Sequence, residues 1–135
     1  MKISSYNDYE ALKKTIKSKR HHAVLATFVN PFSFYLIQDL KLNNEFDYIF
    51  SDGVLLCYLK RVFHKTNIGR ISFDYTSIAS DFFNFCMLNS YKVALVGGAE
   101  EEIKKSVNKI NEKLVIGNID FYRSGYFISE EEKLK

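Results

Sequence analysis

Ala23-Val24-Leu25-Ala26-Thr27-Phe28-Val29 is a nearly continuous apolar run, and Asn30-Pro31 closes it. A run of this kind suits a central strand buried on both faces, because neither set of alternating side chains meets water. Pro31 fits the first position of a helix, where its missing N–H is not needed, and Asn30 fits the N-cap. The stretch therefore reads as a strand feeding directly into a helix. That helix carries Phe34, Tyr35, Ile37 and Gln38 and fades near Leu42-Asn43-Asn44.

The same unit recurs along the chain. Tyr48-Ile49-Phe50 reads as a second strand, running into Ser51-Asp52-Gly53 and a helix that reaches about Phe63. The stretch from His64 to Ser72 is polar and irregular. Asp74 or Thr76 then opens a long helix through Ile78, Phe82, Phe83 and Met87, ending near Asn89-Ser90. Lys92-Val93-Ala94-Leu95-Val96 is a third strand, punctuated by Gly97-Gly98. Ala99 to Lys113 follows as an amphipathic helix with Ile103, Val107 and Ile110 inside. A last strand region spans Val115-Ile116 to Phe121-Tyr122, and the tail from Glu130 to Lys135 is charged and frayed. Ahead of all this, Asn7 or Asp8 caps a polar helix with Tyr9, Leu12 and Ile16 on one face. Strands alternating with helices imply a parallel sheet with right-handed crossovers. The expected fold is α/β: a Rossmann-like parallel sheet with helices on both faces, forming one domain over residues 1–135.

Composition narrows the function classes. The 135 residues carry 19 basic and 16 acidic side chains, a net charge of +3, too balanced for a dedicated nucleic-acid binder. Lys13, Lys14, Lys17, Lys19, Arg20, His21 and His22 cluster early, as a solvated helix face or a patch that meets anionic lipid or phosphate. Aromatic residues reach 16%, with 12 Phe, 9 Tyr and no Trp, enough to fill a core and line a pocket. Cys57 and Cys86 lie in apolar runs and read as buried thiols of a reducing compartment. His21, His22 and His64 lack ligand spacing for zinc and read as surface residues. The first residues have no apolar signal core, and no apolar stretch approaches the ~18 residues of a membrane span. The expected location is the cytoplasm.

In a parallel sheet, ligands bind outside the carboxyl ends of the strands. Three loops fall there: Thr27 to Asn30, Ser51 to Gly53, and Gly97-Gly98. Asp52 stands between an apolar strand and an apolar helix, where an unpaired charge is costly. It is either a helix cap, with Gly53 easing the turn, or a general base or acceptor for a sugar hydroxyl. Gly97-Gly98 either makes a tight strand-to-helix turn or lets backbone approach a phosphate, which Glu100-Glu101-Glu102 would oppose. Arg70 is suited to clamp a diphosphate, or it forms a surface salt bridge with Asp74. No Asp-x-Asp motif supplies a metal site.

Five segments in order carry a resemblance: Ala26-Thr27-Phe28-Val29-Asn30-Pro31, Phe50-Ser51-Asp52-Gly53, Arg70-Ile71-Ser72-Phe73-Asp74, Val93-Ala94-Leu95-Val96-Gly97-Gly98, and Arg123-Ser124-Gly125-Tyr126-Phe127. Together they resemble the WecG/TagA/CpsF family, glycosyltransferase family 26, over nearly all of the chain after residue 20. The resemblance implies an inverting, metal-independent transfer of a sugar, often N-acetylmannosamine, from a UDP-sugar to a polyprenyl-diphosphate-linked sugar. In that family the product serves teichoic acid, common-antigen or capsule synthesis. The resemblance makes Asp52 the catalytic base and Asn30 a donor contact. It adds Thr27, Gly53, Arg70, Asp74, Gly97, Gly98, Gly125 and Tyr126 to the nucleotide-sugar site.

Three positions depart from the family pattern. Leu55 stands where a second Gly is usual, Phe73 stands where Gly often precedes the Asp, and Thr27 lies three residues before Asn30 instead of two. Family members continue with another helix, another strand, a Gly-x-Pro-x-Gln-Glu motif and a basic membrane-associating segment. The resemblance thus implies that these residues are the amino-terminal part of a longer domain, working at the inner face of the membrane. A non-catalytic module that holds a nucleotide sugar or a partner is the alternative. The many Phe and Tyr side chains lead us to expect a homo-oligomer.

Overall fold

A computed structural model of the chain describes residues 3–18, 23–65 and 68–129. The expectations for Lys19 to His22 and for the Glu130–Lys135 tail fall outside these residues, as does the side chain of His64. The described chain is α/β, and it divides into two compact units, Met1–Ile78 and Ala79–Lys135.

The first unit contains α1 (Tyr6–Lys17), β1 (Ala26–Val29), α2 (Pro31–Asp39), a short 3-10 turn (Leu42–Asn44), β2 (Tyr48–Ser51) and α3 (Val54–His64). β1 and β2 pair in parallel, with Thr27 opposite Ile49 and Val29 opposite Ser51. Ser4 adds a parallel bridge to Phe50 on the other side of β2; its N–H donates to Ile49 O at 2.7 Å.

Alternation along β2 sends Ile49 and Phe50 to opposite faces, and both are buried. Ile49 belongs to a core with Ile3, Val29, Ile37 of α2 and Leu56 of α3. Phe50 stacks on Phe28 at 5.3 Å and takes the edge of Tyr9 from α1 at 6.5 Å. Within this unit, then, helices cover both faces of β2. Full burial of side chains this large is worth roughly 1.5–3 kcal/mol each.

The strand buried on both faces is therefore β2 and not the 23–29 run. There only Val29 is buried, and Leu25 and Ala26 are exposed. β1 is shorter than expected, and just ahead of it Leu25 is bonded to Asp47 and to Tyr48, the first residue of β2. The Leu25 N–H donates to Asp47 Oδ2, and its carbonyl accepts from Asp47 and Tyr48 N–H.

Two helix starts also differ from expectation. α1 is capped by Ser5, two or three residues earlier than proposed. Asp8 sits at N3 and accepts from the Ser5 N–H, completing a capping box. The helix expected from Asp74 begins only at Ala79. Asp74 instead binds the backbone of Thr76 in a tight turn, an arrangement that competes with helix. α2 starts as read, with Pro31 in the first turn and Asn30 Oδ1 accepting from Ser33 N–H at 2.9 Å.

The second unit contains α4 (Ala79–Leu88), β3 (Ala94–Val96), α5 (Glu100–Asn111) and β4 (Phe121–Arg123). β3 and β4 pair in parallel, with Leu95 opposite Tyr122. Phe83, Cys86, Val107 and Ile119 are buried here, whereas Ile103 and Ile110 are only half-buried. The strand region expected from Val115 shrinks to Phe121–Arg123. Side-chain amides take its backbone groups first: Val115 N–H donates to Asn84 Oδ1, and Ile119 N–H to Asn111 Oδ1. Gly117, at φ +75, turns the chain between them. Both cysteines are free thiols; Cys86 is buried, but Cys57 is only half-buried. Burial pushes the Cys86 thiol up to about 11.

Candidate functional site

Parallel pairing fixes what the first unit presents at its strand ends. Val29 and Ser51 are the last register partners, so Asn30 and Asp52 leave the sheet side by side. The Asp52 N–H donates to Val29 O at 2.9 Å. Gly53 lies so close to this neighbour that an added Cβ would stand 3.1 Å from Pro31 Cδ. The tightness of that crossing, and not a positive φ, explains the glycine. Ser51 is fully buried beneath the loop, and its hydroxyl donates to Gly53 O at 3.3 Å.

A third segment joins them. Ile71 N–H donates to Ser51 O at 2.8 Å, which brings Arg70 against Asp52. Arg70 Nε donates to the Asp52 carbonyl at 2.8 Å. Its Nη2 donates to Asp52 Oδ1 at 3.2 Å and to Asp74 Oδ2 at 2.9 Å. Asp74 also accepts from the Ser72 hydroxyl at 2.5 Å, the Thr76 hydroxyl at 2.6 Å and the Thr76 N–H at 2.8 Å. The Ser72 and Thr76 hydroxyl bonds, then Arg70 and the Thr76 N–H, hold the Asp74 carboxyl well below the usual carboxylate range. All three ionic side chains are about two-fifths exposed, so solvent screens their attraction.

This geometry removes one reading of Asp52, the helix cap. The N-cap of α3 is Gly53, with no side-chain cap bond, so Asp52 does not cap the helix. Its carboxylate is spent on Arg70 through Oδ1, and Oδ2 has no hydrogen-bond partner among the described residues. The Arg70–Asp74 salt bridge exists, but it is one half of a pair of bridges. Neither Ser72 nor Thr76 is among the site residues expected from the sequence, where Thr76 reads only as a possible helix start. Their signal was the alternate spacing of Ser72, Asp74 and Thr76, which lets two hydroxyls reach one carboxylate.

Asn30 spends its Oδ1 on the α2 cap, leaving its exposed amide nitrogen unbonded among the described residues. Thr27 is half-buried in the middle of β1. Beside the Asn30 turn, α2 and α3 enclose a largely apolar groove of about 390 Å³, lined by Pro31, Phe34, Leu56, Leu59, Lys60 and Phe63. Lys60 Nζ lies over the Phe34 ring at 4.8 Å.

The other expected site residues lie in the second unit, where Gly97, Gly98 and Gly125 meet. Gly97 N–H donates to Arg123 O at 3.1 Å, and Gly125 N–H to Gly98 O at 3.0 Å. The Ser124 hydroxyl donates to the same Gly98 carbonyl, and Tyr126 is exposed. Gly98 adopts φ +63, where glycine carries no side-chain penalty. At the start of α5, Glu102 accepts from the Ala99 N–H at 3.1 Å, so a carboxylate of the chain already occupies a place where a phosphate would sit.

Among curated proteins, the similarity found is to a glycosyltransferase. That relative is the UDP-Gal:alpha-D-GlcNAc-diphosphoundecaprenol beta-1,4-galactosyltransferase of Shigella boydii, 40% identical over 122 residues and 90% of this chain. The chain spans about half (51%) of the length of that relative. No protein-family model and no solved structure matches the chain. No helix among the described residues is long and apolar enough to cross a membrane.

Proposed function

We propose that this chain is the nucleotide-sugar-binding part of an inverting glycosyltransferase of the WecG/TagA/CpsF kind. It moves a sugar from a UDP-sugar to a polyprenyl-diphosphate-linked sugar. The observation that carries the proposal is the 40% identity, across nine-tenths of the chain, to an enzyme named for a UDP-sugar donor and a diphosphoundecaprenol-linked acceptor. The relative is named for UDP-Gal, whereas the resemblance implies an N-acetylmannosamine-type sugar, and both are carried on UDP.

In the proposed reaction, an acceptor hydroxyl attacks the anomeric carbon as the bond to UDP breaks. UDP leaves with the electron pair, and Asp52 Oδ2 takes the hydroxyl proton. The donor lies near Thr27, Asn30, Gly53 and Arg70, with Asp74 beside them. In the second unit, the resemblance implies nucleotide contacts at Gly97, Gly98, Gly125 and Tyr126. Parallel pairing within each unit, and helices on both faces of β2 in the first, support the Rossmann-like reading. No metal takes part; the lack of an Asp-x-Asp motif supports this. The setting is the cytoplasm at the inner face of the membrane, with peripheral lipid contact. Exposed Phe32, Tyr35, Tyr58 and Phe63 support self-association.

The test is transfer of label from a UDP-sugar to an undecaprenyl-diphosphate-linked N-acetylglucosamine by the full-length protein, with and without EDTA. UDP binding is measured alongside by calorimetry. Transfer that survives EDTA is expected. Absence of both binding and transfer would overturn the reading. Binding without transfer would favour the non-catalytic module.

A further inference from the structure

Resting on that reading, we infer that Arg70 is a positioning residue for the Asp52 carboxylate and not a clamp for the donor diphosphate, and that Ser72, Asp74 and Thr76 form its mount. Charge gives the first reason. One guanidinium stands between two carboxylates, so the cluster as a whole is anionic. Both bridges run through Nη2, so a diphosphate held through Nη1 would lie against a cluster that is already anionic.

Geometry gives the second reason. Arg70 grips Asp52 twice, at the main-chain carbonyl through Nε and at Oδ1 through Nη2. These two contacts fix the backbone and the side chain of the same residue. They leave Oδ2 as the oxygen open to an incoming hydroxyl. Holding a reacting group in one orientation is a recognised source of rate, and the planar fork of arginine suits it.

The mount itself is saturated. Asp74 Oδ2 accepts from Ser72 and Arg70, and Asp74 Oδ1 accepts twice from Thr76. A carboxylate with both oxygens engaged cannot swing toward a ligand. It can hold Arg70 at a fixed place, and the bonds within 72–76 tie that place to a tight turn.

The experiment compares full-length wild type with Arg70→Ala, Arg70→Lys, Asp74→Asn and the Arg70→Ala/Asp74→Asn double variant. It reads kcat, KM for the UDP-sugar, the UDP dissociation constant and thermal melting. We expect Arg70→Ala to lower kcat about 100-fold while KM and the UDP constant move less than about threefold, the pattern of an interaction needed only in the transition state. Arg70→Lys recovers little, because an ammonium cannot reach both contacts. The double variant is no slower than Arg70→Ala, because Asp74 acts through Arg70. Added guanidinium partly restores the Arg70→Ala variant.

A tenfold or greater weakening of UDP binding with kcat kept at saturating donor would make Arg70 a diphosphate ligand and overturn the inference. Unchanged kcat and KM would reduce the cluster to a surface salt bridge and overturn it equally. Should Arg70→Ala fail to fold, the split between kcat and KM in Arg70→Lys decides. A wild type that neither binds UDP nor transfers sugar overturns the glycosyltransferase reading instead, so the two failures are distinct.

Discussion

Gly125 lies backbone against backbone on Gly97: a Cβ at position 125 would stand 2.9 Å from the Gly97 Cα and 3.4 Å from the Gly98 nitrogen. The contact closes the loops that follow β3 and β4, which also exchange the Gly125-to-Gly98 and Gly97-to-Arg123 hydrogen bonds. Backbone cannot yield as a flexible side chain can. Gly125→Ala is therefore expected to destabilise the fold by about 1–3 kcal/mol, the usual range for forced overpacking. Urea denaturation followed by circular dichroism measures it. An unchanged midpoint would mean that the two loops do not cross this closely.

Ser90 ends α4 in the left-handed region at φ 57. The Ser90 N–H donates to Met87 O and the Tyr91 N–H to Cys86 O, which is the Schellman pattern. A serine carries a steric penalty there that glycine lacks, partly offset by the greater freedom of glycine in the unfolded chain. Ser90→Gly is expected to stabilise by about 0.5–1 kcal/mol. Thermal melting reads this as a rise of a few degrees, and a fall would show that the left-handed cap is not formed.

The sequence made some of this legible and hid the rest for physical reasons. Asn30-Pro31 announced the start of α2 because capping chemistry is local: the amide, the proline ring and Ser33 lie within one turn. The parallel pairing of residues 26–29 with 48–51 was legible from alternation of strands and helices. The strand sandwiched between helices was not. Burial of Ile49 and Phe50 depends on Ser4 bridging to β2 and on Tyr9 packing against Phe50, contacts more than forty residues apart in sequence. Asp52 stood out from its position alone. Its pairing with Arg70 was not legible, because the link runs through the Ile71-to-Ser51 backbone bond across an irregular segment that has no periodicity to read. Asp74 looked like a helix cap because Asp serves helix ends and tight turns by the same hydrogen bond.

Asp74 sets a sign for the acid limb of stability. Its carboxyl titrates below the ordinary range in the folded chain, chiefly because of the Ser72 and Thr76 hydroxyls. A depressed folded pKa means that the unfolded chain takes up the proton first. The contribution is therefore whole above the unfolded carboxylate value of about 3.9 and is lost as pH falls below it toward the folded value. Stability measured from pH 6 down toward pH 2 should fall less steeply in Asp74→Asn than in wild type. Parallel slopes in the two proteins would show that the carboxylate gains nothing from its neighbours.

Asp52→Asn separates chemistry from structure at the strand end. Because the cap of α3 is Gly53, the substitution leaves helix capping untouched. An asparagine Oδ1 can still accept from Arg70 Nη2, where Asp52 now accepts at 3.2 Å. What is lost structurally is one exposed ion pair, worth at most about 1 kcal/mol, so melting should barely move. What is lost chemically is the open carboxylate oxygen. An amide cannot take a proton from a sugar hydroxyl, and a positioned base contributes roughly 10²–10⁴ in rate. In the full-length protein, Asp52→Asn is accordingly expected to lower kcat by that factor and leave UDP binding within about threefold of wild type. The measurement is transfer to the lipid-linked acceptor at saturating UDP-sugar, with calorimetric UDP binding on the same preparation. Transfer at the wild-type rate would remove Asp52 from the chemistry and leave its pairing with Arg70 as a structural feature of the loop.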